Sequence, residues 1–393
     1  MLKDLKESLP VLILCSFGEI IAGMWMGYLS NRFIIIPALI ILIPPSISLR
    51  GNIYAPLGSR LGTYLHAGKI EPKFKLNSVI NENISSSLFL LIALSFLNGI
   101  ISAKIASLLK IHEFNLDLVL DLMIISIISA FLSAVFIIPL TIAVSIGSFR
   151  WGWDPDNVTS PLITFISDLI TIPLIFLSAD LVFLTGLHVK VVIILISLIF
   201  MLFFYKKSEN MGFKIIMESF PILLFCLLLE FCVGTILGNE IEGFVNTAGV
   251  LTIVPAFLAS GGAMGSILVA RFSSMLHLGS LKPYLLPDRA VFSRFFVIHL
   301  LALISFAFLG VSGFLFNVIL SIKTPSLLYL ILATSIAGQI LALILDIVSY
   351  YFSIISFKIG FDPDNVGIPL VTSLMDFIGI SCLVAALKSL NII

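Results

Sequence analysis

Two aspartates stand at equivalent places in two closely similar segments of this chain. The segments are GWDPDNVTSPLITFISDLI and GFDPDNVGIPLVTSLMDFI, and eleven of their nineteen positions are identical. Each aspartate follows a threonine by four residues, which gives the pairs Thr164 with Asp168 and Thr372 with Asp376. Residues four apart share one face of a helix, so each pair presents a carboxylate and a hydroxyl together. Oxygen ligands of this kind suit hard divalent cations such as Mg²⁺, Ca²⁺ or Mn²⁺ better than zinc or copper.

A second acidic pair is duplicated in the same way. Glu19 and Glu230 lie 211 residues apart, and the same offset pairs Arg60 with Arg271. A carboxylate within an apolar segment needs a partner or water to offset its burial. The two glutamates can either line the entry path of an ion or neutralise the two arginines, and the sequence leaves both interpretations open.

A DPDN turn precedes each Thr–Asp segment, at residues 154–157 and 362–365. Asp and Asn accept hydrogen bonds from the free N–H groups at the start of a helix, so these turns are typical of helix N-caps. A contact with the ion on the cytoplasmic side is the alternative interpretation.

The composition of the chain indicates what positions these acids. Of 393 residues, 59% are hydrophobic and 11% charged, with a mean hydropathy of +1.18. A soluble domain is about one quarter charged, so we predict an all-α polytopic protein whose partner is the lipid bilayer. The 22 basic residues balance the 22 acidic ones, which leaves no basic excess for nucleic acid. We expect no organic cofactor.

Apolar runs of about 20 residues mark the spans of such a protein. Eleven are predicted, near 9–29, 33–49, 84–108, 118–148, 159–184, 188–205, 219–238, 244–260, 291–318, 326–357 and 366–387. We expect a helix break in the second span at Pro44–Pro45. A second break is expected in the eighth span, at Pro255 with Gly261–Gly262, because irregular backbone at membrane depth is tolerated only where protein or a cavity surrounds it.

The positive residues predict the orientation of these spans. With eleven spans, thirteen Lys and Arg residues fall on the side of the N-terminus and six on the opposite side. By the positive-inside rule the N-terminus is cytoplasmic and the C-terminus lies outside. The expected location is the cell membrane.

The duplication also predicts how the chain is organised. SLPVLILCSFGEIIAGMWMG at residues 8–27 aligns with SFPILLFCLLLEFCVGTILG, 211 residues later. We expect a first five-span repeat at residues 1–186, a linking transmembrane helix at 187–210 and a second repeat at 211–393. Two five-span repeats joined directly would have opposite orientations in the membrane. The single linking span gives both repeats the same orientation, so we expect a pseudo-twofold axis along the membrane normal to relate them. The chain would then imitate a homodimer, which favours a functional monomer with its cation site between the repeats.

These motifs resemble the MgtE family of magnesium channels. A DP turn followed by PL-x-T-x-x-x-D is similar to the family's fifth span. Pro44 followed by Gly51–Asn52, and Val254–Pro255–Ala256 followed by Gly262, are similar to its second span. The two-repeat layout resembles the solute carrier family 41 branch, which lacks cytosolic gating domains, and it covers nearly the whole chain.

The resemblance implies transport of divalent cations, most of all Mg²⁺, with Mn²⁺ or Co²⁺ as other cargoes. It places hydrated Mg²⁺ at Asp168 and Asp376, and pore-lining backbone at Gly51–Asn52 and Gly261–Gly262. Ala263 stands where the first repeat has Asn52, so the two halves are not equivalent. Without cytosolic gating domains, we expect any regulation to lie within the membrane.

Two alternatives to a channel remain at this point. One is an exchanger that couples the divalent cation to Na⁺ or H⁺. The other, remote one is an intramembrane aspartyl enzyme, for which the FISD and LMDF contexts of the two aspartates are unsuited. Acid and base roles also need different pKa values, whereas these carboxylates have similar surroundings. We therefore predict that the protein is not an enzyme.

Overall fold

The computed structural model describes residues 2–66, 68–73, 77–151, 155–277, 279–284, 286–359 and 363–393. Within these residues the protein is helical and contains no strand, as the composition predicts. A 3-10 turn at Ala248–Val250 accompanies thirteen helices. The helices are α1 (Leu2–Tyr28), α2 (Arg32–Ile35), α3 (Leu39–His66), α4 (Ser78–Leu108), α5 (Leu116–Arg150), α6 (Pro155–Phe183), α7 (Leu187–Lys207), α8 (Asn210–Asn239), α9 (Ile241–Asn246), α10 (Val254–His277), α11 (Arg289–Ile319), α12 (Leu327–Lys358) and α13 (Pro363–Ser389).

Among the described residues, nine helices are long and apolar enough to cross a membrane. They are α4 to α8 and α10 to α13, and they correspond to nine of the eleven predicted spans. The protein is therefore a multi-pass membrane protein, although the count of eleven is not confirmed. The two predicted spans outside the nine correspond to α1 and α3, and α3 carries Arg50, Asn52 and Arg60 along its length.

The predicted helix breaks are only partly found. Helix α3 continues through Pro44, Pro45 and Pro56, so the break predicted at Pro44–Pro45 is wrong. The eighth predicted span is interrupted immediately before Pro255, where α10 begins at Val254, but α10 then continues through Gly261–Gly262. The chain instead breaks before each long helix, between α2 and α3 and between α9 and α10. A proline within a transmembrane helix is tolerated where neighbouring groups satisfy the backbone.

The described chain divides into two compact units. The central unit comprises Ile36–Gly238 and contains α3 to α8, and the terminal unit comprises Met1–Ile35 together with Asn239–Ile393 and contains α1, α2 and α9 to α13. These units differ from the expected domain boundaries at residues 186 and 210. The first long helix of each sequence repeat packs with helices of the other repeat. The repeat boundaries are a property of the sequence and stay a prediction.

Equivalent glycines allow α1 and α8, the first long helix of each repeat, to pack closely against helices of the other repeat. A Cβ built on Gly23 of α1 would lie 2.0 Å from the backbone oxygen of Thr252, and one built on Gly234 of α8 would lie 2.6 Å from the backbone oxygen of Ile41. The 211-residue offset relates both members of these two contacts. Small residues let membrane helices approach this closely. The same packing contact therefore occurs in both units, each time with the first helix of the other repeat.

A row of buried hydroxyls on α5 faces the inside of the central unit. Its members recur three to eight residues apart and each is buried: Ser126, Ser129, Ser133, Thr141, Ser145 and Ser148. Helix α5 packs against α3, α4 and α6. The row therefore provides polar partners beside α3, the helix that contains Gly51.

The predicted linking helix, α7, lies at the periphery of the central unit, where it packs on α4 and α5. Most of its apolar side chains are exposed, as expected for a surface that faces lipid. Lys190 of α7 forms an ion pair with Asp121 of α5, and both side chains are largely buried. This ion pair joins α7 to the rest of the central unit.

Candidate cation site

The central unit brings three of the predicted ligands together. A Cβ built on Gly51 of α3 would lie 3.5 Å from Cγ2 of Thr164 and 4.0 Å from Oδ1 of Asp168, both on α6. Asp168 is only 8% exposed. Because Gly51 has no side chain, the backbone of α3 approaches the methyl group of Thr164 and a carboxylate oxygen of Asp168 on α6. Carboxylate and hydroxyl oxygens here match the ligand preference of a hard cation.

The terminal unit repeats this arrangement. A Cβ built on Gly262 of α10 would lie 3.5 Å from both Cβ and Cγ2 of Thr372 on α13. Asp376 follows Thr372 by one helical turn on the same face of α13 and is half-buried. The glycine of one long helix thus faces the threonine of its neighbour in both units, as the duplication requires.

Asn52, the remaining predicted ligand on α3, has a partner within its own helix. Its Nδ2 donates to the hydroxyl of Ser48 at 3.1 Å, and the residue is partly buried. The equivalent position in the terminal unit is Ala263, which has no amide to offer. The central and terminal units therefore differ in this side chain.

Each glutamate belongs to the same compact unit as the aspartate of the other sequence repeat. Glu19 is 5% exposed and belongs to the terminal unit, together with Asp376, whereas Glu230 is 2% exposed and belongs to the central unit, together with Asp168. Ser16 lies three residues before Glu19, and its hydroxyl lies 2.8 Å from that of Ser260 on α10.

On the other side of Glu19, Gly23 packs against Thr252 just before α10. Glu19 therefore lies on the face of α1 that packs against α10. Glu230 precedes Gly234 by one turn and lies on the equivalent face of α8, towards α3.

The contacts of Arg60 bear on whether the glutamates neutralise the two duplicated arginines. Arg60 donates from Nε to Oδ1 of Asn83 at 2.9 Å and from a terminal nitrogen to the Ser87 hydroxyl at 3.5 Å, both on α4 of its own unit. These contacts neutralise no charge, but they satisfy two nitrogens of the guanidinium. Asp154 and Asp362 of the DPDN turns lie outside the described residues, so the choice between N-cap and ion contact stays open.

Sequence reasoning missed the residue next to Gly51. Arg50 is 1% exposed, and it donates to the Ser129 hydroxyl of α5 at 2.7 Å and to the backbone oxygen of Ser46 at 3.3 Å. Its charge and that of Asp168 attract each other. The row of hydroxyls on α5 is a sequence signal for such a partner, because polar residues three or four apart on an apolar helix mark a face that avoids lipid.

Apolar helices that enclose duplicated carboxylates and hydroxyls define a membrane transporter of cations. The sequence model of the MgtE family, described as "Divalent cation transporter", matches residues 43–178 and 254–386. The chain therefore belongs to the MgtE family of divalent cation transporters, and it is a transporter rather than an enzyme. The two matched segments extend from α3 to α6 and from α10 to α13, which supports the duplication found in the sequence.

Relatives that match along most of this chain are also found. Solute carrier family 41 member 3 of Rattus norvegicus is 28% identical over 404 residues, which cover 96% of this chain and 85% of the relative. Solute carrier family 41 member 2 of Xenopus laevis is 25% identical, with 100% and 74% covered. The human member 2 is 24% identical, with 94% and 68% covered. No solved structure matches the chain.

Proposed function

We propose that this protein carries Mg²⁺ across the membrane, and that Asp168 and Asp376 contact the ion in a partly hydrated form. The observation that carries the proposal is the contact of Gly51 with Thr164 and Asp168, which recurs as the contact of Gly262 with Thr372. In the central unit this arrangement offers a carboxylate oxygen beside a residue without a side chain, and in the terminal unit Asp376 lies one helical turn after Thr372. Mg²⁺ gives up its waters reluctantly and is usually held by one or two carboxylates plus retained waters.

The oxygens around each glycine have different tasks in this proposal. The carboxylate of Asp168 or Asp376 supplies the charge that offsets the loss of bulk water around the ion. The hydroxyl of Thr164 or Thr372 can accept a hydrogen bond from a water that the ion retains. The bare backbone at Gly51 or Gly262 leaves room for that water. Asn52 adds one further polar group on the side of the central unit.

Flux into proteoliposomes tests the proposal. Wild-type protein is reconstituted around an internal Mg²⁺ dye and compared with Asp168→Asn, Asp376→Asn and the matched control Asp180→Asn, which changes another acid on α6. We expect each of the first two variants to lose at least nine-tenths of the flux, since a neutral amide cannot offset the charge of the ion. Asp180→Asn should keep the wild-type rate. Undiminished flux in both site variants would refute the role of these aspartates.

The same vesicles test which divalent cation is preferred and whether transport is coupled to Na⁺ or H⁺. If Mg²⁺ is the preferred cargo, Mn²⁺, Co²⁺ or Ca²⁺ added to the outside should slow the dye-detected entry of Mg²⁺ only when the concentration of the competing ion exceeds that of external Mg²⁺. A channel moves Mg²⁺ without a second ion, and an imposed Na⁺ or H⁺ gradient should then leave the rate unchanged. A flux that requires such a gradient would instead favour the coupled exchanger.

We further propose that the N-terminus is cytoplasmic and that the monomer is the functional form. The excess of Lys and Arg on the side of the N-terminus supports the orientation, and the internal duplication supports the monomer. In a cysteine-free variant, a cysteine placed at Glu209 between α7 and α8 should react only after the cell is permeabilised. One placed at Thr324, between α11 and α12, should react with an impermeant reagent in intact cells. The reverse pattern would invert the orientation.

A further inference from the structure

Three polar side chains meet between α11 and α12 of the terminal unit. Nδ1 of His299 lies 2.8 Å from Oε1 of Gln339, and Nε2 of His299 lies 3.3 Å from Oδ2 of Asp346. Gln339 also donates from its Nε2 to the backbone oxygen of His299 at 3.1 Å. Both nitrogens of the imidazole therefore have a polar partner, within two helices that are strongly apolar.

These contacts determine where the hydrogens lie. A backbone oxygen only accepts hydrogen bonds, so the amide nitrogen of Gln339 faces the oxygen of His299, and its Oε1 faces Nδ1. Nδ1 therefore carries a hydrogen, and Nε2 of the neutral ring is an acceptor. Because Oδ2 of an ionised Asp346 is also an acceptor, the contact between Nε2 and Oδ2 requires one proton, on either atom.

The pair is buried on the side of the aspartate. The side chain of Asp346 is 4% exposed, whereas that of His299 is 33% exposed. The other carboxylate oxygen of Asp346, Oδ1, has no hydrogen-bond partner among the described residues. An acid at this depth is costly unless it is paired or serves a function. The more exposed imidazole gives the proton a route to and from the aspartate.

The packing of these helices does not require the three polar residues. In the central unit the equivalent positions are apolar: they are Leu88, Phe131 and Ile138, at offsets of 211 residues on α4 and 208 residues on α5. The offset of 208 also aligns SIGSFR at the end of α5 with SIISFK at the end of α12. Helix α4 packs on α5 just as α11 packs on α12. The polar cluster therefore has a role other than joining the two helices.

Packing connects the cluster to the proposed ion site. A Cβ built on Gly265 of α10 would lie 3.7 Å from Cδ1 of Leu345 and 3.5 Å from Cγ of Met375. Each of these side chains comes directly before an aspartate, Asp346 on α12 and Asp376 on α13. The segment of α12 with the buried aspartate and the segment of α13 with the proposed ion ligand therefore meet at the same place on α10.

Other charged or titratable side chains lie on the helices around the pair, away from the helix ends. They are Glu19 of α1, Arg271 of α10, Arg294 of α11, Tyr350 and Tyr351 of α12, and Asp376 and Cys382 of α13. In the described part of the chain, the polar contacts of the His299 and Asp346 side chains are with each other and with Gln339. The hydroxyl of Tyr350 donates instead to the backbone oxygen of Tyr284 at 2.8 Å. The variants below separate the pair from these groups.

We propose that His299 and Asp346 bind a proton in the terminal unit, and that this proton opposes the binding of Mg²⁺ at Asp376. With the proton the pair has no net charge, and without it the pair carries one negative charge. Charges interact more strongly in an apolar interior than in water, so loss of the proton favours a divalent cation nearby. Binding effects are reciprocal, and Mg²⁺ therefore promotes release of the proton to water. The inference rests on the proposed role of Asp376.

Proton release by the purified protein is the direct test. Mg²⁺ is added to the protein in weakly buffered detergent with a pH indicator, from about pH 6 to about pH 9, a range that includes the usual titration of histidine. KCl of the same ionic strength is the control. We expect the wild type to release up to about one proton per protein, because the pair shares a single proton, and Asp346→Asn to lose this release. No release from the wild type, or unchanged release from Asp346→Asn, would overturn the inference.

A second variant covers the case in which Asp346→Asn fails to fold. His299→Gln removes the nitrogen that shares the proton but keeps a polar side chain. The pH at which Mg²⁺ releases most protons should then shift by about one unit or more, the usual effect of removing a neighbouring titratable group. An unchanged pH profile in His299→Gln would contradict the shared proton.

Transport gives an independent readout. In proteoliposomes with the same pH on both sides, the half-saturating Mg²⁺ concentration of the wild type should fall as the pH rises, by at most about tenfold per pH unit because one proton is involved. Asp346→Asn is neutral at every pH and should keep the higher concentration throughout. The matched control His188→Gln changes a histidine at the start of α7 and should keep the wild-type pH dependence. The same pH dependence in Asp346→Asn would assign it to another acid.

The outcomes separate this inference from the function on which it rests. Full Mg²⁺ flux with the wild-type pH dependence in Asp376→Asn would overturn the proposed ion site and leave the proton site in place. Loss of flux in Asp376→Asn, together with a wild-type flux that is independent of pH and releases no proton, would overturn the inference alone.

Discussion

Replacing Gly51 with alanine separates the cation site from the stability of the fold. The new Cβ would lie 3.5 Å from Thr164 and 4.0 Å from the Asp168 oxygen, distances of ordinary van der Waals contact. No neighbour has to move. Alanine is also about 1 kcal/mol more favourable than glycine within a helix. We therefore expect the thermal unfolding temperature of Gly51→Ala to equal or exceed that of the wild type.

Transport should respond in the opposite direction. In the proposed site, the added methyl group would occupy the space beside the Asp168 carboxylate that a water retained by the ion would need. Loss of one hydrogen bond to a charged group costs about 1.5–3 kcal/mol, which corresponds to roughly a ten- to hundredfold loss of Mg²⁺ flux. Gly262→Ala, whose Cβ would lie 3.5 Å from Thr372, should act in the same way in the terminal unit.

The assay combines dye-detected Mg²⁺ entry into proteoliposomes with thermal unfolding of the same preparations in detergent. Gly147→Ala is the matched control, because a Cβ at this position on α5 has nothing within 4 Å. It should change neither quantity by much. Wild-type flux in both Gly51→Ala and Gly262→Ala, at unchanged stability, would refute the idea that the ion passes the glycine faces of α3 and α10.

Three further outcomes follow from the packing of the units. Gly23→Ala places a methyl group 2.0 Å from the Thr252 oxygen. Such overpacking should cost about 1–3 kcal/mol of stability and lower the unfolding temperature. An unchanged temperature would contradict the packing of α1 in the terminal unit. Lys190→Met leaves a largely buried Asp121 carboxylate without its ion-pair partner. We expect the free energy of unfolding to fall by about 3 kcal/mol and to recover when Asp121→Asn is added. An unchanged free energy of unfolding would argue against the ion pair. A fragment comprising Ile36–Gly238, which contains one whole compact unit, should elute as a single species from size-exclusion chromatography in detergent, whereas a fragment of residues 1–207, which lacks α8, should aggregate.

The sequence was sufficient for the class of fold and for the shared helix face of Thr164 and Asp168, for identifiable reasons. Long apolar runs leave little alternative to membrane helices, and the four-residue spacing of Thr164 and Asp168 fixes their common face. The breaks were misplaced because proline in a membrane helix signals a break only when nothing else satisfies the backbone. In α3, Pro44 and Pro45 lack the N–H groups that would bond to the backbone oxygens of Ile40 and Ile41, and the helix nevertheless continues.

Arg50 escaped sequence reasoning for a different reason. The duplication directs attention to residues that occur in both halves, and Arg50 has Gly261 as its equivalent. Its partner Ser129 lies 79 residues away on α5, so only the packing of α3 against α5 brings the two together. Residues that make two repeats unequal are therefore the ones that a search for repeated motifs passes over.

The sequence could not predict that α1 and α8 each pack with helices of the other repeat. Because of the duplication, packing within the same repeat would bring together nearly the same residues. Gly23 can pack against the backbone oxygen of Thr252 or against that of its equivalent, Ile41, and either choice buries the same kind of surface. Local propensity and hydrophobic pattern are identical in both cases, so only the chain connections and the unequal residues distinguish them. The choice matters for the proposed site, since it places Glu19 in the unit of Asp376 and Glu230 in the unit of Asp168.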